Sequence, residues 1–407
     1  MEKYELKESR DKSKNRVKNI ILRFDLGELV TTRYGSTQRK GHFVCLNSFL
    51  PSNFLEKNEK ELAEKKMLWE EEIIKIGFMK EGDFFYKNFI KLNALTFSAL
   101  LIPDVPIANL KFLFFFLIAL FAIDDFFEKV KTNENLNKIV NILIEFAQAN
   151  TNVISQSHYQ MLCASCKLLS PLCKFLMSLQ HEAQLFNLDT AFFTNALIQH
   201  LYSQQLELNY FLEEKLHPFC KEDYLDIRYF SSGAYITQEV ISLIKGIALS
   251  KEIRLHPAFI KYRKEICLHT ILVNDIFSLE KEAANEEKFN LIIIKQEKYS
   301  LQTAFNKTLN KLNNLVIKIK DSANKLKKIF KGDSNIEKFI KSTLQMVDGN
   351  ILGHKESKRY GDIDFEVVEL PEMASSKSIF FQSSLKGRYD QESIAAIFSS
   401  QQTQLKK

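Results

Sequence analysis

Apolar residues recur at intervals of three and four along most of this chain, which is the spacing of one helix face. The stretch from Glu56 to Ile76 follows this pattern, and Pro103 and Pro106 break the chain before a Phe-rich helix. Further helices are predicted over about 134–149, 151–178, 183–214, 220–250, 258–285, 296–330 and 335–354. Pro171 and Pro218 are expected to kink or separate these helices. The pattern therefore predicts an all-α fold, in one large domain or two.

Three zones of the chain differ in character. Residues 1–45 are basic and polar, and we expect them to be loosely ordered. Residues 46–360 carry the helical pattern and form the predicted domain. Residues 361–407 contain FEVVEL, Pro371 and a Ser-rich patch, with strand-like fragments for which the sequence suggests no partner strands. We interpret them as an appended segment of uncertain order.

The composition agrees with a large helical protein. A chain of 407 residues with 45% hydrophobic content can bury a sizeable core. It contains only 12 Gly and 7 Pro, which favours long helices over a sheet with many turns. The 56 basic and 50 acidic residues are interleaved and leave a net charge of only +6, so nucleic-acid binding has little support.

Three features bear on the cellular location. The longest apolar run, Phe112 to Ile123, has twelve residues, which is too short to span a bilayer. The first twenty residues are charged with both signs and show no signal peptide. Six cysteines without a regular framework fit a reducing, cytoplasmic environment. Cys163 and Cys166 form a CxxC that could bind zinc only with further ligands, and buried apolar packing is the favoured interpretation.

Two oxygen-rich motifs lie about 150 positions apart. In NDIFSLEKE, Asn274, Ser278 and Glu282 follow i, i+4, i+8 and therefore share one helix face. In DDFFE, which ends the apolar run, Asp124 and Glu128 are likewise four apart, with Asp125 between them. Oxygen donors on two helices suit a hard divalent cation such as Mg²⁺, which usually keeps open positions for phosphate oxygens.

The chain also contains basic residues that could bind a phosphate-bearing ligand of such a cation. Arg228 lies 46 positions before Asn274, and Lys281 is inside the second motif. Arg359 and Tyr360 are adjacent near the end of the helical zone. Arg can fork onto phosphate oxygens, and a Tyr hydroxyl can donate one more hydrogen bond.

Four elements occur in a characteristic order and spacing: DDFFE, Arg228, NDIFSLEKE and the Arg359–Tyr360 pair. In these elements the chain resembles class I terpene synthases of the single-domain microbial type, over roughly residues 46–360. The resemblance implies a barrel-like helical bundle of the class I terpenoid synthase type. It also implies three Mg²⁺ ions, with Mn²⁺ as an alternative, that bridge the diphosphate of a prenyl diphosphate substrate.

The resemblance also implies roles for individual residues. Asp124 would be the main ligand of the first metal pair, with Asp125 and Glu128 as further ligands, although Asp125 could instead orient Arg359. The third ion would be bound by Asn274, Ser278 and Glu282, whereas Asp275 points off that column and is expected to be structural. Arg228 would sense the diphosphate and, with Asp124, act in catalysis, while Lys281, Arg359 and Tyr360 would grip phosphate oxygens. Ser231 and Ser232 stand at the positions of the family's linker and effector residues. Some members have Asp as the linker and Gly as the effector.

The expected pocket wall lies one to three turns before the motif residues. Phe121, Leu120, Leu117 and Leu113 precede Asp124 on one helix face, and Tyr224 and Leu225 come one turn before Arg228. Plain core packing is an equally good interpretation of each of them singly.

Three functions remain open at this stage. The first is ionisation of farnesyl diphosphate to a carbocation, which gives a sesquiterpene hydrocarbon or alcohol and diphosphate. The second, prenyl chain elongation, is disfavoured because KVKTNENLN after DDFFE contains no arginine and the second motif is not DDxxD. The third is a non-catalytic helical relative. A monomer or a homodimer is expected, with no membrane span.

Overall fold

The computed structural model describes residues 19–31, 33–46, 54–80, 82–130, 135–148, 157–186, 188–213, 221–285, 289–360 and 365–370. The first helices of these ranges are α1 (Phe54–Ile76), α2 (Phe84–Leu92), α3 (Ala94–Leu101), α4 (Lys111–Val130), α5 (Leu136–Ala147), α6 (Ser157–Ser165) and α7 (Leu169–Gln184). They are followed by α8 (Ala191–Glu213), α9 (Lys221–Ser231), α10 (Ala234–Ile244), α11 (Lys251–Leu255), α12 (Pro257–Ala284), α13 (Leu291–Ile294), α14 (Leu301–Ile329) and α15 (Ser334–Glu356). The all-α prediction is confirmed.

A small sheet accompanies the helices. Strands β1 (Asn19–Thr31), β2 (Gly35–Val44) and β3 (Phe365–Leu370) form an antiparallel sheet in the order β2-β1-β3. Leu22, Phe24 and Phe43 are buried in the protein core, and β2 packs against α14. The alternation of apolar and charged residues in β1 is that of a strand with one buried face.

The sheet corrects two of the sequence expectations. Residues 19–31 and 35–44 are not loosely ordered, because they form strands β1 and β2 of a hairpin. FEVVEL does have a partner strand, which is β1, more than 300 positions earlier in the chain. Such a distant pairing leaves no local signal in the sequence. Residues 1–18 and 371–407 lie outside the described residues, so the predictions made for them stay untested.

The long helices α12, α14 and α15 begin and end close to the predicted positions. Pro257 opens α12, where its missing N–H costs no hydrogen bond, and the imidazole of His256 accepts a hydrogen bond from the N–H of Ala258. The predicted helix 151–178 is divided between α6 and α7, and Pro171 is the third residue of α7, within the first turn, where proline is tolerated. The predicted helix 220–250 is divided at Gly233, whose φ of 75° is left-handed. Pro218 is outside the described residues.

The apolar run of α4 is at the centre of the bundle. Phe114 and Phe115 are fully buried, and α4 contacts α3, α7, α8 and α10. Within the described ranges, none of the helices combines the length and hydropathy that crossing a membrane requires. The run therefore places the DDFFE residues Asp124 and Glu128 at a cavity, directly after a buried helix segment.

Helix α15 approaches α3 more closely than side chains larger than hydrogen would allow. A Cβ added to Gly349 would lie 2.1 Å from the carbonyl oxygen of Leu100, and one added to Gly353 would lie 2.0 Å from the ring of Phe97. These two glycines are four positions apart and form one smooth helix face. This close approach fixes α15 against α3.

Candidate active site

A cavity lies between α3, α4, α8, α9, α10, α12 and α15. Its lining residues near the acidic motifs are Asp124, Glu128, Asn274, Ser278, Lys281, Glu282, Arg228, Arg359 and Tyr360. Its apolar lining residues are Phe97, Leu101, Leu117, Leu120, Phe121, Phe127, Leu208, Ala234, Phe289 and Met346. The structure thus brings both motifs and all four predicted anion-binding residues to one cavity.

Helix α4 presents one face to this cavity. Leu117, Leu120 and Phe121 line it before Asp124 on the same helix, whereas Leu113 is fully buried and does not line it. The spacing of three and four residues follows directly from the 3.6-residue turn. A largely apolar wall therefore leads up to the carboxylate of Asp124.

The second motif forms the predicted column on α12. Asn274, Ser278 and Glu282 all line the cavity, and Thr270 extends the column one turn further. The Ser278 hydroxyl donates to the carbonyl oxygen of Asn274, 2.8 Å away, and the Nδ2 of Asn290 donates to Glu282 at 2.7 Å. The amide of Asn274 accepts from Arg228 at 2.9 Å. Each member of the column is therefore held by a hydrogen bond.

The two aspartates of DDFFE have different surroundings. Asp125 does not line the cavity, its side chain is 6% exposed, and Arg359 donates to its two oxygens at 2.6 and 3.1 Å. The Asp124 side chain is 41% exposed and lies 3.4 Å from the Nη2 of Arg359. Asp125 therefore orients Arg359, the alternative to metal ligation that the sequence leaves open, and Asp124 faces the cavity.

Basic side chains link the motifs across the cavity. The Nζ of Lys281 lies 2.9 Å from Glu128, and Arg228 lies 3.7 Å from Glu207. Burial lowers the pKa of Lys281, but the charges of Asp124 and Glu128 outweigh burial and raise it on balance. Burial likewise opposes the charged form of Arg228, while Glu207 raises its pKa on balance. Both side chains are held as cations beside the cavity.

Asp275 and Tyr224 form a buried pair behind α12. The hydroxyl of Tyr224 lies 2.7 Å from both oxygens of Asp275, and the N–H of Leu291 donates to the same carboxylate at 3.1 Å. Burial raises the pKa of Asp275 to about 6, and the charge of Arg228 opposes this rise. Asp275 is structural, as predicted. Tyr224 and Leu225 do not line the cavity, so their assignment to the pocket wall is wrong.

The reason for this error is the direction of α9. Tyr224 and Arg228 are four apart and share a helix face, but this face is directed at α12. The Arg228 side chain lines the cavity, where it binds Asn274, whereas the Tyr224 hydroxyl binds Asp275, which does not line it. Ser231 and Ser232, beyond Arg228, do line the cavity beside Gly233.

Sequence reasoning missed cavity-lining residues on two other helices. Met346, Asn350 and His354 line the cavity from α15 at i, i+4, i+8, and His200, Gln204 and Glu207 line it from α8. The same periodicity that revealed the α12 column could have revealed these sets. The Nδ1 of His354 lies 2.8 Å from the carbonyl oxygen of Asn350 and therefore donates to it. Burial lowers the pKa of His354 to about 4, so its imidazole is neutral.

The residues present fit a divalent cation that a ligand helps to bind. In the described ranges, no three His, Cys, Asp or Glu side chains gather closely enough to bind one ion by themselves. Asp124 and the Asn274–Ser278–Glu282 column nevertheless offer hard oxygen atoms to one cavity. Mg²⁺ characteristically combines one or two carboxylates with phosphate oxygens and water. Cys163, Cys166 and Cys173 are free thiols, of which the last two are buried.

Comparison with known proteins gives a consistent result. The model of terpene synthase family 2, C-terminal metal binding, matches residues 116–318, which include both motifs and Arg228. Terpene synthase 11 of Dictyostelium purpureum is 31% identical over 112 residues, or 27% of this chain and 34% of that protein. (+)-Eremophilene synthase of Sorangium cellulosum (strain So ce56) is 25% identical over 158 residues, or 36% of this chain and 45% of that protein. The chain thus matches less than half the length of these two relatives.

Solved structures share the fold over a larger part. 2-Methylisoborneol synthase from Streptomyces coelicolor A3(2), in complex with Mg²⁺ and 2-fluoroneryl diphosphate, has a TM-score of 0.62 and 15% identity, covering 74% of this chain and 93% of that one. Germacradien-4-ol synthase from Streptomyces citricolor has a TM-score of 0.59 and 15% identity, covering 74% of this chain and 94% of that one. Residues 116–318 thus match terpene synthase family 2, C-terminal metal binding, with both motifs on one cavity, and the chain shares its fold with these two Streptomyces synthases.

Proposed function

We propose that this protein is a Mg²⁺-dependent terpene synthase that ionises farnesyl diphosphate and converts the resulting cation to a sesquiterpene hydrocarbon or alcohol. The observation that carries the proposal is the meeting of Asp124, the Asn274–Ser278–Glu282 column and the basic residues on one cavity with an apolar wall. Such a cavity can hold a diphosphate at its polar end and a prenyl chain along its wall.

The basic residues bind the leaving group. Arg228, Lys281 and Arg359 donate N–H groups to phosphate oxygens, and the hydroxyl of Tyr360 donates another. When bound, Mg²⁺ ions would act as Lewis acids and neutralise charge on the diphosphate. The family resemblance implies three such ions. Fixed donors that face the charge as it develops stabilise the transition state without having to reorganise.

The apolar wall protects the cation. When the carbon–oxygen bond breaks, its electron pair leaves with the diphosphate and an allylic cation remains. Phe97, Phe121, Phe127 and Phe289 line the cavity, and each aromatic face can stabilise a cation by about 0.5–2 kcal/mol. The wall also excludes water until the cation loses a proton to give an alkene or captures water to give an alcohol.

Farnesyl diphosphate is proposed because fifteen-carbon substrates are common among single-domain relatives and because bulky Phe and Leu side chains lie below Asp124. The test is incubation of the purified protein with Mg²⁺ and, separately, the ten-, fifteen- and twenty-carbon prenyl diphosphates. A volatile fifteen-carbon product with release of diphosphate is expected. Longer prenyl diphosphates would instead indicate chain elongation, and unchanged substrate in all three reactions would refute an enzymatic role.

A further inference from the structure

A row of rings connects the sheet to the second motif and to Tyr360. This aromatic row consists of Phe24 in β1, Phe43 in β2, Phe277 in α12, His354 in α15 and Tyr360. Ring centroids are 4.5 Å apart between Phe24 and Phe43, and 5.7 Å apart between Phe43 and Phe277. Phe277 lies 6.2 Å from Tyr360 and 5.2 Å from His354, which stacks on Tyr360 at 4.9 Å. The row is continuous from the sheet to the cavity.

Phe43 has little freedom to move within this row. Its ring is fully buried, and Asn313 of α14 binds the main chain on both sides of it. The amide of Asn313 accepts from the N–H of Val44 at 3.0 Å and donates to the carbonyl oxygen of His42 at 3.0 Å. In a close-packed interior a ring fixed in this way restricts its neighbours. Phe43 is thus a fixed support for Phe277.

The sheet also binds the chain just beyond Tyr360. Phe24 pairs with Phe365 of β3, the strand that begins five positions after Tyr360. Phe24 is therefore connected to Tyr360 through the aromatic row, and its strand also pairs with β3.

The position of Tyr360 matters for both motifs. Its hydroxyl lies 3.3 Å from the Nδ2 of Asn274, at the top of the α12 column. The preceding residue, Arg359, is the one that binds Asp125 of the first motif. A displacement of this pair would alter one contact to each motif helix.

On the basis of the proposed function, we propose that the β1–β2–β3 sheet positions Tyr360 and Arg359 for binding diphosphate. Phe43 is the positioning residue, and it acts on the Tyr360 hydroxyl through Phe277. It touches neither substrate nor metal. The sheet therefore contributes to diphosphate binding by positioning residues of the site.

A double-mutant cycle tests this inference. Phe43→Leu keeps an apolar side chain but removes the flat ring, and Tyr360→Phe keeps the ring but removes the hydroxyl. We expect Phe43→Leu to lower kcat/KM about 10-fold in the native background and less than about 2-fold in the Tyr360→Phe background. Losses that multiply independently would overturn the inference, because they would indicate a general loss of stability.

One further variant controls for a general effect of removing a buried ring, and another replaces Phe43→Leu if that variant does not fold. Phe339→Leu makes the same change to a buried ring of α15, about 22 Å along the helix from His354, and should leave kcat/KM within about 2-fold. An equal loss in Phe339→Leu would overturn the inference. Should Phe43→Leu fail to fold, Phe24→Leu takes its place in the same cycle, one ring further from the cavity.

Binding of inorganic pyrophosphate in the presence of Mg²⁺ separates this inference from the proposed function. If the native protein binds pyrophosphate but converts no prenyl diphosphate, the proposed function fails, and the same non-additive pattern in Kd would still support the positioning role. If it converts substrate and the cycle is additive, only the positioning role fails. If it neither binds nor converts, both fail.

Discussion

The Nζ of Lys281 lies 2.9 Å from the carboxylate of Glu128, and this contact joins the two acidic motifs across the cavity. Lys281 is on α12 and Glu128 is on α4, 153 positions apart in the chain. Together with Arg359 on Asp125 and Arg228 beside Asn274, it places a cation next to each motif. The negative charges of the acidic residues are thus neutralised by cationic side chains that can also bind a phosphate.

Replacing Lys281 by Met should weaken binding of a prenyl diphosphate. The variant loses a cation that faces the anion, so we expect KM to rise about 10-fold, with a smaller rise for Lys281→Arg, which keeps the charge. Steady-state kinetics at several salt concentrations measures the change. Lys338→Met, an exposed site on α15, is the matched control, and a similar rise in that variant would show that net charge alone accounts for the effect.

Asn274→Ala should remove an oxygen ligand and the partner of both Arg228 and Tyr360. We expect kcat/KM to fall at least about 100-fold, comparable to the loss of a fixed donor at a reacting centre, and the Mg²⁺ concentration needed for half-maximal rate to rise. Asn314→Ala, at an exposed position of α14, should change neither quantity. An Asn274→Ala enzyme with native Mg²⁺ dependence would exclude this residue as a ligand.

Gly233→Ala should both destabilise the protein and reshape the cavity. Gly233 has a φ of 75°, and an added Cβ would lie 2.5 Å from Leu120, a residue of the cavity wall. Gly332 has a φ of 86° with nothing within 4 Å, so Gly332→Ala reports the backbone strain alone, about 1–2 kcal/mol.

Chemical denaturation and product analysis together separate the two effects. We expect Gly233→Ala to cost more free energy of unfolding than Gly332→Ala and to change the product distribution, which Gly332→Ala leaves as it is. If the two variants lose the same free energy of unfolding and give identical products, the Leu120 side chain moves away from the added Cβ without penalty.

His269 should make the protein less stable in mild acid. It is buried in α12, its two ring nitrogens have no hydrogen-bond partner in the described part of the chain, and burial lowers its pKa to about 3. Below about pH 6.5 the unfolded chain takes up a proton that the folded protein refuses, so stability falls as the pH falls.

The comparison of native protein with His269→Met isolates this contribution. Between pH 7.5 and pH 5 the native protein should lose about 2 kcal/mol more free energy of unfolding than the variant. Urea denaturation at the two pH values measures it. Parallel pH dependence of the two proteins would mean that the folded state accommodates a charged His269.

The sequence was sufficient for those parts of the site that depend on helical periodicity. The Asn274 column, the wall below Asp124 and the length of α12 all follow from a repeat of 3.6 residues and from clear helix ends. What it did not reveal depends on the path of the chain in space. The pairing of β1 with β3 joins segments more than 300 positions apart, and the direction of Tyr224 depends on how α9 packs against α12.

The most direct test of the account is the binding of Mg²⁺ and pyrophosphate, because it asks whether the two motif helices act as one site. Titration calorimetry with the native protein should show pyrophosphate binding that requires Mg²⁺. Asp124→Asn on α4 and Asn274→Ala on α12 should each weaken it at least about 100-fold. Binding that persists with either variant, or that is unchanged when Mg²⁺ is removed by a chelator, would contradict a single metal-dependent site shared by the two helices.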